Sequence, residues 1–112
     1  MKAIIDGLRY DTSKAEMIGK QANNYQQVEE DKSHPMYWTA ALYATVSGRF
    51  FLAGSGNVES ELALYAIDLY NDEYPLKNKI IPITEAQAFT WCCKNQQLDV
   101  TEAWFEHLIE DA

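Results

Sequence analysis

Cysteine and histidine are nearly missing from this chain of 112 residues, with two of each. Cys92 and Cys93 are adjacent, and neighbouring residues rarely meet disulfide geometry. They supply neither a disulfide framework nor a ligand pair at zinc spacing. The expectation is two reduced thiols on a helix, at least one of them partly buried. His34 stands in a polar stretch and His107 beside an apolar one. A histidine with no adjacent nucleophile and no orienting group has no assembled catalytic role. A pairing of Cys92 or Cys93 with His107 lacks anything local to depress a thiol pKa, because the nearest charge is Lys94 and the cysteines fall mid-helix. Basic residues are also few, nine against 17 acidic ones, which argues against direct binding to nucleic-acid phosphates. No run approaches the roughly 18 apolar residues needed to cross a bilayer. The opening Met1-Lys2-Ala3-Ile4-Ile5-Asp6-Gly7 falls short of a signal peptide's apolar region, so a cytoplasmic location is expected. Repeats and low-complexity tracts are absent.

What is present argues for one folded domain over residues 1–112. A hydrophobic share of 47% with 12% aromatics can offset the entropy of ordering. Seven tyrosines and three tryptophans suit half-buried positions and interfaces, and completing the core is the reading preferred to an aromatic binding surface. Asp6-Gly7 between Lys2–Ile5 and Leu8–Tyr10 predicts a tight hairpin, since both central residues of a type I′ turn need positive φ. Ser13-Lys14-Ala15-Glu16 has capping-box spacing and predicts a short helix over 14–22. The polar run 23–35 is expected to be an exposed loop. Tyr37–Val46 and Arg49–Ala53 predict a second hairpin around Ser47-Gly48, with Leu42, Ala44 and Val46 on one face and Tyr43 and Thr45 on the other.

Gly54-Ser55-Gly56-Asn57 is expected to end that strand in a plain turn. It lacks the Lys-Ser/Thr of a Walker loop and the third glycine of a dinucleotide turn. Glu59–Tyr70 fits helix and strand periodicity alike; its alanines and leucines, with Glu59 and Glu61 at the front, favour a helix. Lys79–Ile83 reads as an edge strand because of Pro82. Thr84-Glu85-Ala86-Gln87 opens a helix to about Asn95. A last helix, capped by Asp99, carries the stripe Val100, Ala103, Trp104, His107 and Leu108. The predicted class is therefore α+β, two β-hairpins forming an antiparallel sheet with helices on one face.

Charge is divided unevenly along the chain. Residues 1–58 hold six acidic and six basic side chains, whereas residues 59–112 hold eleven acidic ones against Lys77, Lys79 and Lys94. The second part thus carries the whole formal charge of −8, a distribution that suits a basic protein surface. Asp68, Asp72 and Glu73 would cluster at one helix end, with no calcium-loop pattern around them. Glu102, Glu106 and Glu110 recur every fourth residue and would share an exposed face of the last helix. These six are the candidate partner-binding residues. A solvated face that aids solubility is the plain alternative. No catalytic, cofactor-binding or metal-binding residue is expected.

Three segments carry a likeness beyond pattern. They are Met1–Thr12, Leu42–Gly54 with its Leu-Tyr-Ala-Thr-Val-Ser-Gly-Arg-Phe-Phe-Leu core, and Ile81–Trp91. Together they resemble a family of small acidic, largely uncharacterised proteins of bacteriophages, plasmids and integrative elements. Those proteins open with a Gly-x-x-Tyr-Asp-Thr hairpin and have a Leu-Tyr-x-Thr-x-x-Gly-x-x-Phe-Leu hairpin in the middle. The resemblance spans about half the chain, its matched residues are structural, and no catalytic residue carries over. It departs after Gly56, where such proteins have a glycine-rich stretch and this chain has Glu59–Tyr70. The resemblance implies host-interaction roles, including inhibition of defence systems such as CRISPR–Cas, whose basic channels an acidic protein could occupy. The leading expectation is a non-enzymatic module for a basic protein partner, a nucleic-acid-binding defence nuclease among the options, without direct nucleic-acid or membrane binding. An antitoxin or immunity-like protein is the alternative, and a small thiol enzyme comes third.

Overall fold

Asp6 and Gly7 take φ of 51° and 78° and turn the chain back on itself, as a type I′ hairpin requires. The flanking strands are β1 (Lys2–Ile5) and β2 (Leu8–Asp11), paired antiparallel from Lys2↔Asp11 to Ile5↔Leu8. The computed structural model describes residues 1–22, 33–70 and 74–112. The expected loop over 23–35 lies mostly outside them.

The next element overturns an expectation. Residues Glu16–Ala22 form a strand, β3, where capping-box spacing predicts a helix. Ser13 is spent elsewhere, since its N–H and hydroxyl both donate to Asp11 Oδ1, at 2.9 and 2.7 Å. The bonds hold the Asp11 carboxyl below its ordinary pKa, with Lys2 and Lys14 adding to the effect. A nine-residue helix containing Gly19 would also be marginal by itself. Pairing with β4 (Trp38–Ala44), from Glu16↔Ala44 to Ala22↔Thr39, satisfies the backbone instead. A bulge between Met17 and Gly19 turns Ile18 into the core.

β4 continues into β5 (Phe50–Gly56) through a turn in which Gly48 has φ of 86°. The register runs from Trp38↔Gly56 to Ala44↔Phe50. Alternation holds along β4, whose Trp38, Ala40, Leu42 and Ala44 are buried. It fails at Val46, which stands in the turn and is 97% exposed. The strand β5 also outlasts its expected end, passing through Gly54, Ser55 and Gly56. These glycines are there for closeness: a Cβ at Gly54 would run into the Thr39 carbonyl and Ala40, and one at Gly56 into Ser60 and Leu62. A glycine pair that reads as a breaker is here a packing device.

The expected helix at Glu59–Tyr70 is present as α1 (Glu61–Tyr70), with Leu62, Ala63 and Ala66 buried. Ser60 Oγ accepts the Ala63 N–H at 3.2 Å. β6 (Leu76–Ile83) pairs with β5 and carries Pro82 on the sheet edge, opposite Phe51. The capping box at Thr84 forms in full: Thr84 Oγ1 accepts the Gln87 N–H at 3.1 Å, and Gln87 Oε1 accepts the Thr84 N–H at 2.9 Å. It opens α2 (Glu85–Asn95), which is followed by α3 (Leu98–Phe105) and a 3-10 turn at Glu106–Leu108.

The chain is α+β, as expected, but its two hairpins do not share a sheet. β3-β4-β5-β6 make a four-stranded antiparallel sheet, and β1-β2 make a separate pair. One face of the large sheet packs Leu42, Leu52 and Ile81 against Leu62, Ala66, Ala88, Trp91, Cys92 and Phe105 of the helices. The other face packs Phe51, Ala53 and Ile80 against Tyr10, Leu8, Ile5 and Ala3 of the hairpin. The aromatics complete these cores. Phe51 meets Tyr10 edge-on at 5.5 Å and stacks with Tyr43 at 5.1 Å, while Trp38 meets Trp91 at 6.5 Å on the helix side.

Candidate functional site

The acidic C-terminal surface is built on α3, whose buried side is set by Thr101 and Phe105. Phe105 packs at 5.5 Å from Phe50 and 5.8 Å from Phe89, tying the helix to β5 and α2. Val100, Trp104 and Leu108 are partly buried beside it, whereas Ala103 and His107 are exposed. Gln97, two residues before Asp99, is the N-cap, and Asp99 lies in the first turn. There its carboxylate still faces the positive end of the helix dipole.

The expected glutamate stripe is only partly assembled. The helix stops at Phe105 (φ −132°, ψ 24°), so Glu102 lies on α3, Glu106 on the 3-10 turn, and Glu110 in the segment beyond it. Four-residue spacing therefore does not place all three on one helical face, and the like-charge penalty of such a face does not apply. All three are exposed, as are Asp99 and Asp111. Asp68 belongs to α1, which packs on β4, β5 and β6, while α3 packs on β3 and α2. The strand order puts those sites on opposite sides of the helix layer. Asp72 and Glu73 lie outside the described residues.

The cations of this half are mostly occupied away from α3. Lys94 Nζ lies 3.6 Å from Glu61 Oε1, which also accepts from Asn95 Nδ2 at 2.9 Å. Lys79 sits over the Tyr70 ring, 5.0 Å from its centroid. His107 Nε2 is 3.1 Å from Glu85 Oε2 in an exposed pair, so His107 does not pack with the apolar stripe in which its spacing placed it. Among the described residues no cation pairs with Asp99, Glu102, Glu106, Glu110 or Asp111.

Cys92 is fully buried and Cys93 exposed, both as free thiols. Burial, with the neighbouring Cys93 thiol adding to it, pushes Cys92 up to about 11, away from the range of a nucleophilic thiolate. Among the described residues no group of three or more His, Cys, Asp or Glu is placed to hold a metal ion. Nor is any helix among them long and apolar enough to cross a membrane. Two adjoining clefts, of about 300 and 740 Å³, share Asn57, Pro75 and Lys77. A third, of about 600 Å³, runs between Trp104 and the Ser13–Glu16 turn.

A second surface escaped the reading of sequence pattern. Leu64 and Ile67 stand on the outer side of α1 at 70% and 57% exposure. The signal was available, because residues on every side of this segment are apolar, and a helix apolar all round is ordinarily covered on both faces. Comparison with protein-family models, curated proteins and solved structures finds no match to this chain.

Proposed function

We propose that this chain is a non-enzymatic protein-binding module that engages a basic partner through the acidic surface of its C-terminal half. One observation carries the reading: five exposed carboxylates from Asp99 to Asp111 have no cationic partner among the described residues. Carboxylates left uncompensated attract a basic surface over a Debye length, roughly 8 Å at physiological ionic strength. The burial of Cys92 and its raised pKa argue against that thiol as a nucleophile.

The three segments that resemble small acidic proteins of mobile elements support a more specific form. In it, the partner is a host defence nuclease, CRISPR–Cas-like, whose basic nucleic-acid channel the module occupies. An antitoxin or immunity-like protein facing a basic toxin is the alternative use of the same surface, and gene neighbourhood separates the two. The test is affinity capture from the native host, followed by association rates of the purified partner across a salt series. Changing Glu102, Glu106 and Glu110 to glutamine should slow association more than it speeds dissociation. A rate independent of salt and equal in both proteins would leave these glutamates as a solvated surface.

A further inference from the structure

We propose that the C-terminal end of α2 is a latch that shuts the outer edge of β3 and so keeps this strand from pairing with β3 of a second copy of the chain. The four-stranded sheet ends at β3 on one side and at β6 on the other. An edge strand offers a row of outward N–H and C=O groups on which another strand can assemble. On β3 that row is occupied by side chains. Gln96 Nε2 donates to the Lys20 carbonyl at 3.2 Å. Two residues along, the Ala22 N–H donates to Gln21 Oε1 at 3.1 Å, and Gln21 Nε2 donates in turn to the Asn95 carbonyl at 3.2 Å. These groups also name the occupant that the latch keeps out. Laid antiparallel across a two-fold axis at Gln21, the Lys20 carbonyl of one copy would meet the Ala22 N–H of the other, and the reverse.

The latch is held from behind. Gln96 closes α2 with its own N–H on the Cys92 carbonyl at 2.8 Å. Asn95 Nδ2 donates to the Trp91 carbonyl at 3.1 Å and to Glu61 Oε1 at 2.9 Å. Trp91 and Cys92 are fully buried, so this helix end is fixed to the core. Gly19 makes the room for it. Its φ is not positive, yet a Cβ there would run into the Gln96 amide. The glycine at the β3 bulge therefore serves the close approach of Gln96, and backbone freedom is not its purpose. The opposite edge is shut by unlike means. On β6 the Tyr70 hydroxyl donates to the Ile80 carbonyl at 3.2 Å, and Pro82, two residues on along the same side, has no N–H to offer. The β1 and β2 strands, four residues each, present little edge at all. Two unrelated sets of side chains thus close both ends of the large sheet, and exclusion of an added strand is the effect they share.

Sedimentation equilibrium of the full chain and its variants is the test, with circular dichroism to check that each variant folds. Gln21→Ala together with Gln96→Ala bares the Lys20 carbonyl and the Ala22 N–H. This double variant should self-associate at a concentration about tenfold or more below any at which the native chain does. Gly19→Ala should act in the same direction, because the added methyl displaces only the free end of the Gln96 side chain; it carries the test should the double variant not fold. Adding Ala22→Pro to either removes the outward N–H at the last residue of β3 and should restore the monomer. Variants as monomeric as the native chain overturn the proposal. Self-association that Ala22→Pro leaves unchanged also overturns it, by placing the contact elsewhere. So does association of the native chain that Ala22→Pro alone abolishes, since the edge would then already be open.

Discussion

Gly7 and Gly48 hold φ of 78° and 86° with open space where a Cβ would stand, so backbone conformation, not crowding, reserves these positions for glycine. Gly7→Val or Gly48→Val should each destabilise by more than about 1 kcal/mol, read as a lowered urea midpoint at unchanged slope. At the neighbouring scale of a single thiol, native alkylation should label Cys93 and spare Cys92. The buried thiol also sets a sign for alkaline stability. Its pKa is raised from 9.0 to about 11, so between those values the unfolded chain releases a proton that the folded chain keeps. Stability therefore falls as pH rises across that window, and the decline should be shallower in Cys92→Ala when denaturation midpoints are compared at the two ends.

At the scale of elements, the α2 capping box joins two reciprocal hydrogen bonds at one helix start. Thr84→Ala should cost about 1 kcal/mol, and Thr84→Asp should keep most of it because aspartate caps as well; thermal melts of the two variants give the comparison. This box and the Asp6-Gly7 turn were legible in sequence because all their partners lie within a few residues. The box at Ser13 was not, since Asp11 captures the serine and the decisive partner, β4, lies more than twenty residues away. Gly54 and Gly56 misled for the same reason: their meaning resides in Thr39 and Ala40 for the first and in Trp38 for the second, which only the fold brings close. The end of α3 at Phe105 was likewise hidden, because Glu102, Glu106 and Glu110 keep helical spacing past the point where the helix stops. Of the candidate site, the acidic character was readable from composition and the shape of the surface was not. The exposure of Leu64 and Ile67 was not legible, because eight apolar residues in ten leave open which of them face the sheet.

Across the whole molecule, the acidic surface and the core are separate investments. Glu102, Glu106 and Glu110 touch no cation among the described residues and do not share a helix face. Their triple replacement by glutamine should leave unfolding free energy within roughly 0.5 kcal/mol of the parent, the ordinary range for exposed sites. A larger loss in a calorimetric scan would mean that these carboxylates hold the fold. The opposite weighting applies to β5, which lies between β4 and β6 and is buried on both sides, Phe51 and Ala53 toward the hairpin, Phe50 and Leu52 toward the helices. Both layers therefore lean on one strand, and their openings are unequal events. The β1-β2 pair can lift away and leave the four-stranded ladder intact, whereas the amides of Phe51–Ala53 are freed only by parting β5 from β4 or from β6, which breaks that ladder itself. Hydrogen–deuterium exchange should accordingly rank the molecule in two tiers, the hairpin amides exchanging through a partial opening and the β5 amides only through global unfolding.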